Sequence, residues 1–357
     1  MEPRIQYART SDGVNIAYSV MGTGQSLVYP SNIWGDIHWY LHDEATRSGV
    51  DRLVASGWRV IRYDGRGMGF SDRDVTDFSL DARLLDLETV VSSAGLDRFV
   101  LCGYGQGGPL AISYAASYPD RVSHLALVNS FAQGSALYEK VPAMRALIGL
   151  RSMVEDQWEF FTLTLATAAV GFTDSARAKE TAELFRSSTS AKTFLAFVDS
   201  AQKINLLHLL PKVCVPTLVA LYTSGGFVTE DLSRDLAARI PGACLVTTDD
   251  YHQELHGFVR GGPLASVWSA CAFDQGAEAP EVQLPSGRAA GLSAREVEVL
   301  RLLADGRSSR EIGAELTLTV RTVERHITNI YRKIDVHNRA QATAFALERG
   351  LTRRSIA

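Results

Sequence analysis

Cysteine is scarce in this chain: Cys102, Cys214, Cys244 and Cys271 are the only four in 357 residues. They form no CxxC and no metal-ligand spacing, which argues against a disulfide framework or a structural metal and for buried, reduced thiols. No apolar run reaches the roughly 20 residues of a membrane span. The opening MEPRIQYART is polar and carries no signal-peptide core. Neither sign of charge dominates, with 36 Lys+Arg against 40 Asp+Glu. These absences point to a globular, cytoplasmic protein, and no membrane, metal or cofactor is expected of it.

What is there is enough chain for two domains. Residues 291–357 hold 12 basic and 8 acidic side chains, whereas residues 1–290 hold 24 and 32. An acidic body with a basic end suits a protein that meets a polyanion at one end only. Residues 273–290 (FDQGAEAPEVQLPSGRAA) lack apolar periodicity and carry Pro280 and Pro285, so they read as a linker. Residues 1–272 alternate β-rich runs (RIQYART, VNIAYSV, SLVYPS, RVIRYD, FVLCGY, HLALVNS, TLVALYT, CLVTTD) with helical stretches. Several runs are apolar on both faces, the mark of a mostly parallel sheet between helices and hence of an α/β fold. From about 131 to 210 a long helical block interrupts the rhythm, as a cap over the sheet edge would.

The last 67 residues read as a small all-α domain of four short helices. Ser293 with Glu296, Ser308 with Glu311, and Asn338 with Gln341 have the spacing of capping boxes. Asp305-Gly306 marks a helix end. In the third helix, about Val320 to Ile334, Val323, Ile327, Ile330 and Ile334 form one apolar stripe. A helix fixed by one stripe, with a basic and amide-rich opposite face, fits a major groove. GLSAREVEVLRLLADGRSSREIGAELTLTVRTVERHITNIYRKIDVHNRAQA resembles the LuxR-type helix-turn-helix throughout, including Thr322, Val323 and His326 of TVxxH. The resemblance implies that Glu324, Arg325 and Thr328 face base edges. It puts Thr322, His326, Asn329, Arg332 and Lys333 near phosphates, with Ser308 and Arg310 reaching the backbone from the second helix and Arg321 on the same DNA-binding face. Family members often carry a basic residue where Glu324 stands, which bears on base preference. The fourth helix, Asn338–Arg349, is the expected dimer contact. The alternative is a face that is merely solvated.

In the N-terminal part, VLCGYGQGG (residues 100–108) joins a strand to a helix through a glycine-rich turn. This is the setting of the nucleophile elbow G-x-S-x-G. With YDGRGMGFSD (Tyr63–Asp72), YPDRVSHLALVNS and VPTLVALYTSGG, the segment from about 5 to 271 resembles an α/β-hydrolase. Acyl transfer on that fold needs a hydroxyl, a base and an orienting carboxylate. The elbow position is Gly105, and the acid position falls on Gly226, or Gly225 one residue earlier. Glu230 and Asp231 are the nearest substitutes. His252 is the base candidate and His256 the second choice. Two of three triad positions are thus empty, and no catalytic residue is assigned. Glycine at the elbow also avoids backbone strain. Cys102 belongs to the strand and should point into packing, and Ser31 is the other nearby nucleophile.

A pocket between sheet edge and cap is expected to survive, lined by Asn32, Ile33, Trp34, His38, Trp39, Tyr104, Gly105, Gln106, Trp158, Phe161 and His252. Tyr40 and Phe160 are further candidates. The N–H groups of Gln106 and of the Asn32–Ile33 loop would converge on a bound carbonyl. For the aromatics and His252 the competing reading is core packing. The expectation is a ligand-responsive transcription regulator with a small-molecule effector, a double-stranded DNA operator, a homodimeric state and a contact with RNA polymerase. A regulator retaining weak hydrolysis, or one with a purely structural hydrolase-like domain, is the alternative.

Overall fold

The computed structural model describes residues 3–35, 37–170, 172, 174–222, 227–260, 294–304, 307–316, 318–334, 336 and 342. The chain divides into two compact units, Met1–Phe273 and Asp274–Ala357.

The first unit is built on an eight-stranded sheet: β1 (Ile5–Arg9), β2 (Asn15–Met21), β3 (Gln25–Tyr29), β4 (Trp58–Tyr63), β5 (Phe99–Tyr104), β6 (Val122–Val128), β7 (Thr217–Tyr222) and β8 (Cys244–Thr248). All eight β-rich runs of the sequence are strands. The order is β1-β2-β4-β3-β5-β6-β7-β8. Within this sheet only the β1–β2 and β2–β4 pairings are antiparallel. The parallel strands are apolar on both faces because helices cover both faces. Leu101, Leu125 and Val219 fall in one core cluster, and Val100, Cys102, Ala126 and Leu218 in the other. Cys102 is fully buried in packing.

Helices α1 (Ile37–His42), α2 (Glu44–Ala55), α3 (Leu80–Ser93) and α4 (Gly108–Ser117) connect the first six strands. The block after β6 is helical: α5 (Gly134–Tyr138), α6 (Pro142–Gly149), α7 (Trp158–Ala169), α8 (Ser175–Ser188) and α9 (Ala191–Gln202). Side-chain caps start the longer helices, as Asp174 does for α8 and Ser190 for α9. Helices α10 (Glu230–Arg239) and α11 (Tyr251–Arg260) flank β8.

The YDGRGMGFSD segment (Tyr63–Asp72) is a scaffold that positions the neighbouring loop. Buried Asp64 accepts from the N–H groups of Ile37 (2.9 Å) and Phe70 (3.0 Å). Arg66 forms a buried pair with Asp86 at 2.8 Å, and Gly65 N–H donates to Ser31 Oγ at 2.7 Å. Ser31 is therefore occupied in holding the loop after β3.

The second unit is described over α12 (Ala294–Ala304), α13 (Ser309–Leu316) and α14 (Val320–Lys333). They enclose Val299, Leu300, Leu303, Ile312, Val323 and Ile330. The Ser308–Glu311 capping box forms with reciprocal bonds of 2.8 and 3.3 Å. Ser293, Asp305-Gly306, the 273–290 linker and the Asn338–Gln341 start of the fourth helix lie outside the described residues, as does most of that helix. Among the described residues no helix is long and apolar enough to cross a membrane.

Candidate functional site

The strand-to-helix turn after β5 has elbow geometry. Gly105 takes φ +51°, and the turn leads straight into α4. Its glycine neighbours are dictated by crowding. A Cβ on Gly107 would lie 2.6 Å from the Pro30 carbonyl oxygen, and one on Gly108 would lie 1.4 Å from Ser130 Oγ. At Gly105 there is room for one: among the described residues the nearest atom to an added Cβ, its chain neighbours apart, is Asn32 Nδ2, at an ordinary contact distance of 3.6 Å.

This turn borders a cavity of about 790 Å³. Asn32, Ile33, Trp34, Trp39, Tyr104, Gly105, Gln106, Phe161 and His252 all line it. Two expected residues do not. Trp158 stands behind the wall, its ring stacked on Phe161 at 5.9 Å and tilted on Phe194 at 5.6 Å, and it supports these two lining rings. His38 lies next to Trp39 on α1, about 100° round the helix, and turns outward to Ser187 Oγ at 2.7 Å. Burial, with help from His42, lowers its pKa to about 4. Tyr40 is buried and donates to Asp51 at 2.9 Å, and Phe160 is exposed.

The cap side of the cavity is apolar (Met144, Leu147, Leu165, Phe185, Phe194), closed by Trp34 stacked on Phe185 at 4.0 Å. The sheet-edge side is polar. Tyr104, Tyr222 and Tyr251 gather there at 5.5–5.8 Å between ring centroids. Burial raises the Tyr104 phenol to about 12, so it stays a neutral donor. Asn129 ties β6 to β7 by bonds of 3.0 and 2.9 Å to Tyr222 main-chain groups.

His252 sits in the first turn of α11, with its ring stacked on Tyr251 at 4.0 Å. It is wedged against α2, so close that a Cβ on Gly49 would lie 2.4 Å from its Cε1. Burial, with Arg62 and Arg52 nearby, lowers its pKa to about 4 although Asp250 opposes the shift. Asp250 Oδ1 is 3.8 Å from Nδ1, too long for a hydrogen bond. That carboxylate instead caps α11 and pairs with Arg52 at 3.3 Å. Asp250 was not singled out from the sequence, where its position two residues before His252 was the available signal. The acid positions Gly225 and Gly226 lie outside the described residues. Glu230 and Asp231 are exposed partners of Arg234, and neither lines the cavity. His256 accepts from Trp58 Nε1 at 3.1 Å and is absent from the lining too.

The two expected carbonyl-binding N–H groups differ. Gln106 follows Gly105 in the turn, with its side chain tied to Tyr138 Oη at 2.6 Å. The Ile33 N–H is already taken, donating to Asn32 Oδ1 at 2.7 Å.

In the second unit, Thr319 caps α14 by accepting from Thr322 N–H at 3.1 Å. Gly313 permits the close turn before it, since a Cβ there would lie 2.7 Å from the Leu318 carbonyl oxygen. Val323 and Ile330 are fully buried, with Ile327 and Ile334 packed beside them. Ser308, Arg310, Arg321, Glu324, Thr328 and Arg332 are exposed, and Thr322, Arg325 and Asn329 are half-buried. His326 turns partly inward, and burial beside Arg325 lowers its pKa to about 4. Lys333 reaches back to the buried carboxylate of Glu296 at 2.7 Å. Glu296, whose spacing suggests only a helix cap, thus has a tertiary partner in the third helix.

Comparison with known proteins agrees with both architectures. The family model of the alpha/beta hydrolase fold matches residues 41–254, and that of bacterial regulatory proteins of the luxR family matches residues 290–346. RutD of Azorhizobium caulinodans, whose assignment as a carbamate hydrolase is provisional, is 25% identical over 244 residues, 68% of this chain and 89% of RutD. The transcriptional regulatory protein LiaR of Bacillus subtilis is 51% identical over 55 residues, 15% of this chain and only 26% of LiaR. An esterase from Exiguobacterium antarcticum superposes with a TM-score of 0.60 at 18% identity, over 74% of this chain and 99% of the esterase. At that identity the likeness is one of fold.

Proposed function

Because the chain belongs to the alpha/beta hydrolase fold family and carries a LuxR-family DNA-binding domain, we propose that it is a transcription regulator whose hydrolase-fold unit binds a small organic effector without turning it over. The assignment divides the chain into a sensing domain (1–272, cap about 131–210), a linker (273–290) and a DNA-reading domain (291–357). The observation that carries it is the elbow: Gly105 offers no side chain to a cavity of about 790 Å³. A neutral, wedged His252 without a hydrogen-bonded acid among the described residues supports the same reading.

The effector lies between the apolar cap wall and the polar sheet edge. It regulates through a difference in affinity between DNA-competent and incompetent states of a homodimer on a two-fold operator. In α14, Glu324, Arg325 and Thr328 read bases, while Thr322, Asn329 and Arg332 approach phosphates together with Ser308 and Arg310. His326 acts as a neutral donor, and Lys333 divides its charge between phosphate and Glu296.

The test is the thermal stability of the full chain against a panel of esters, lactones, aromatic acids and phenols, with hydrolysis followed in the same samples. Binding at 100 times Kd stabilises the native state by about 2.7 kcal/mol. Stabilisation without turnover is the expected result. Turnover that vanishes in His252→Ala refutes the sensor reading in favour of an enzyme.

A further inference from the structure

The space at Gly105 has a defined wall. Among the described residues, the one atom outside its chain neighbours that comes within 4 Å of an added Cβ is Asn32 Nδ2, at 3.6 Å. The orientation of that amide is fixed by chemistry. Its oxygen accepts the Ile33 N–H at 2.7 Å, so the nitrogen is the end that borders the gap. The main chain of Asn32 is also held, its carbonyl accepting from Gly35 N–H and from Ser31 Oγ, each at 3.2 Å. Asn32 therefore does two things at once. It satisfies the N–H that would face an oxyanion, and it presents a donor to the place a nucleophile's side chain would fill.

We propose that Asn32 Nδ2 is the donor that recognises the effector, holding an uncharged acceptor oxygen in the gap over Gly105. This deepens the sensor reading and rests on it. The ligand class follows from the surroundings. Near the turn the lining is polar but uncharged: Tyr104, with Gln106 held by Tyr138 and Asn129 held by the Tyr222 main chain. The three arginines of the lining are already engaged, Arg52 with Asp250 at 3.3 Å, Arg177 with Asp43 at 3.6 Å, and the buried Arg62 over the Tyr29 ring at 5.1 Å. The cap side is apolar. A ketone, ester or amide with an apolar body satisfies both ends.

The experiment titrates the full chain with 6-propionyl-2-(dimethylamino)naphthalene, an uncharged aryl ketone whose emission moves to the red when its carbonyl accepts a hydrogen bond. Asn32→Asp keeps an acceptor for the Ile33 N–H and removes the donor, and Gly105→Ala fills the gap with a methyl group. Each should weaken binding about five- to tenfold, the worth of one hydrogen bond, and shift the bound emission to the blue. A purely structural role for Asn32 would change the melting temperature and leave the emission alone. If Asn32→Asp does not fold, Gly105→Ala decides. Variants that bind with wild-type affinity and emission overturn the assignment and leave the pocket standing. A wild type that does not bind this ketone overturns the assignment, and the sensor reading then stands or falls with the panel of esters, lactones, aromatic acids and phenols.

Discussion

Restoring a serine at the elbow separates strain from chemistry. In Gly105→Ser the new Cβ meets its nearest neighbour at 3.6 Å, an ordinary contact, so no clash is added. The cost is conformational, because φ +51° is left-handed, and a non-glycine residue there loses about 1–2 kcal/mol. In a unit of this size each kcal/mol moves the melting temperature by about 2–4 °C, so a drop of about 2–8 °C is expected. Activity should not return with the hydroxyl. The candidate base is His252, whose pKa of about 4 makes it a poor proton acceptor, and whose ring is wedged against Gly49. The nearest carboxylate, Asp250, is 3.8 Å from Nδ1 and already caps α11. An incomplete triad forfeits about 10⁴–10⁶ in rate. The assay is hydrolysis of p-nitrophenyl acetate at pH 7.5 beside a circular-dichroism melt. Turnover within about tenfold of wild type agrees with this reasoning, since whatever the oxyanion hole and binding contribute on their own is common to both proteins. Rates about a thousandfold above wild type would refute it, and would mean that His252 and an acid align when a serine is present.

Other consequences are independent of that one. Lys333→Ala removes the ion pair to the buried Glu296 carboxylate and should destabilise the second unit by about 1–3 kcal/mol in urea melts; an unchanged midpoint would reduce the pair to a surface contact. Arg325→Ala should weaken operator binding by about 1–3 kcal/mol and relax base preference, whereas Arg332→Ala should weaken all sequences alike; gel-shift titrations at two salt concentrations distinguish them. Gly313→Ala forces a Cβ to within 2.7 Å of the Leu318 carbonyl oxygen, so the melting temperature should fall and DNA binding should fall with it. Acid should unfold the first unit early. His252 titrates near 4 when folded against 6.5 ordinarily, so its stabilising contribution is complete above pH 6.5 and is lost as pH falls towards 4, by up to about 3 kcal/mol. His252→Asn should flatten that slope in a pH series of melts.

Much of this was legible in the sequence, for reasons that differ by element. The strands could be read because a parallel sheet covered on both faces demands continuous apolar runs, and FVLCGY and TLVALY have no other stable use. The elbow was legible because glycine spacing reports backbone crowding. The recognition helix was legible because Val323 and Ile330 repeat at the helical period and end up fully buried. What escaped is set by side-chain direction and distant partners. Nothing local tells that Trp158 backs Phe161 instead of facing the cavity, or that His38 is claimed by Ser187, 149 residues away. The Lys333–Glu296 pair spans 37 residues, so a face-by-face reading of one helix could only place Lys333 on the polar side. Asn32 was expected to contribute a main-chain N–H, but an amide side chain can fold back onto its own neighbour, and sequence does not record rotamers.

The crowding around the elbow has a bearing on how such chains are recognised. Gly107 and Gly108 are required by Pro30 and Ser130 whatever residue occupies position 105. Selection for packing alone would therefore keep these two glycines in place, while position 105 is held by its left-handed backbone and not by crowding. A motif search that scores the glycines detects the architecture, and any inference about turnover has to come from residue 105 itself.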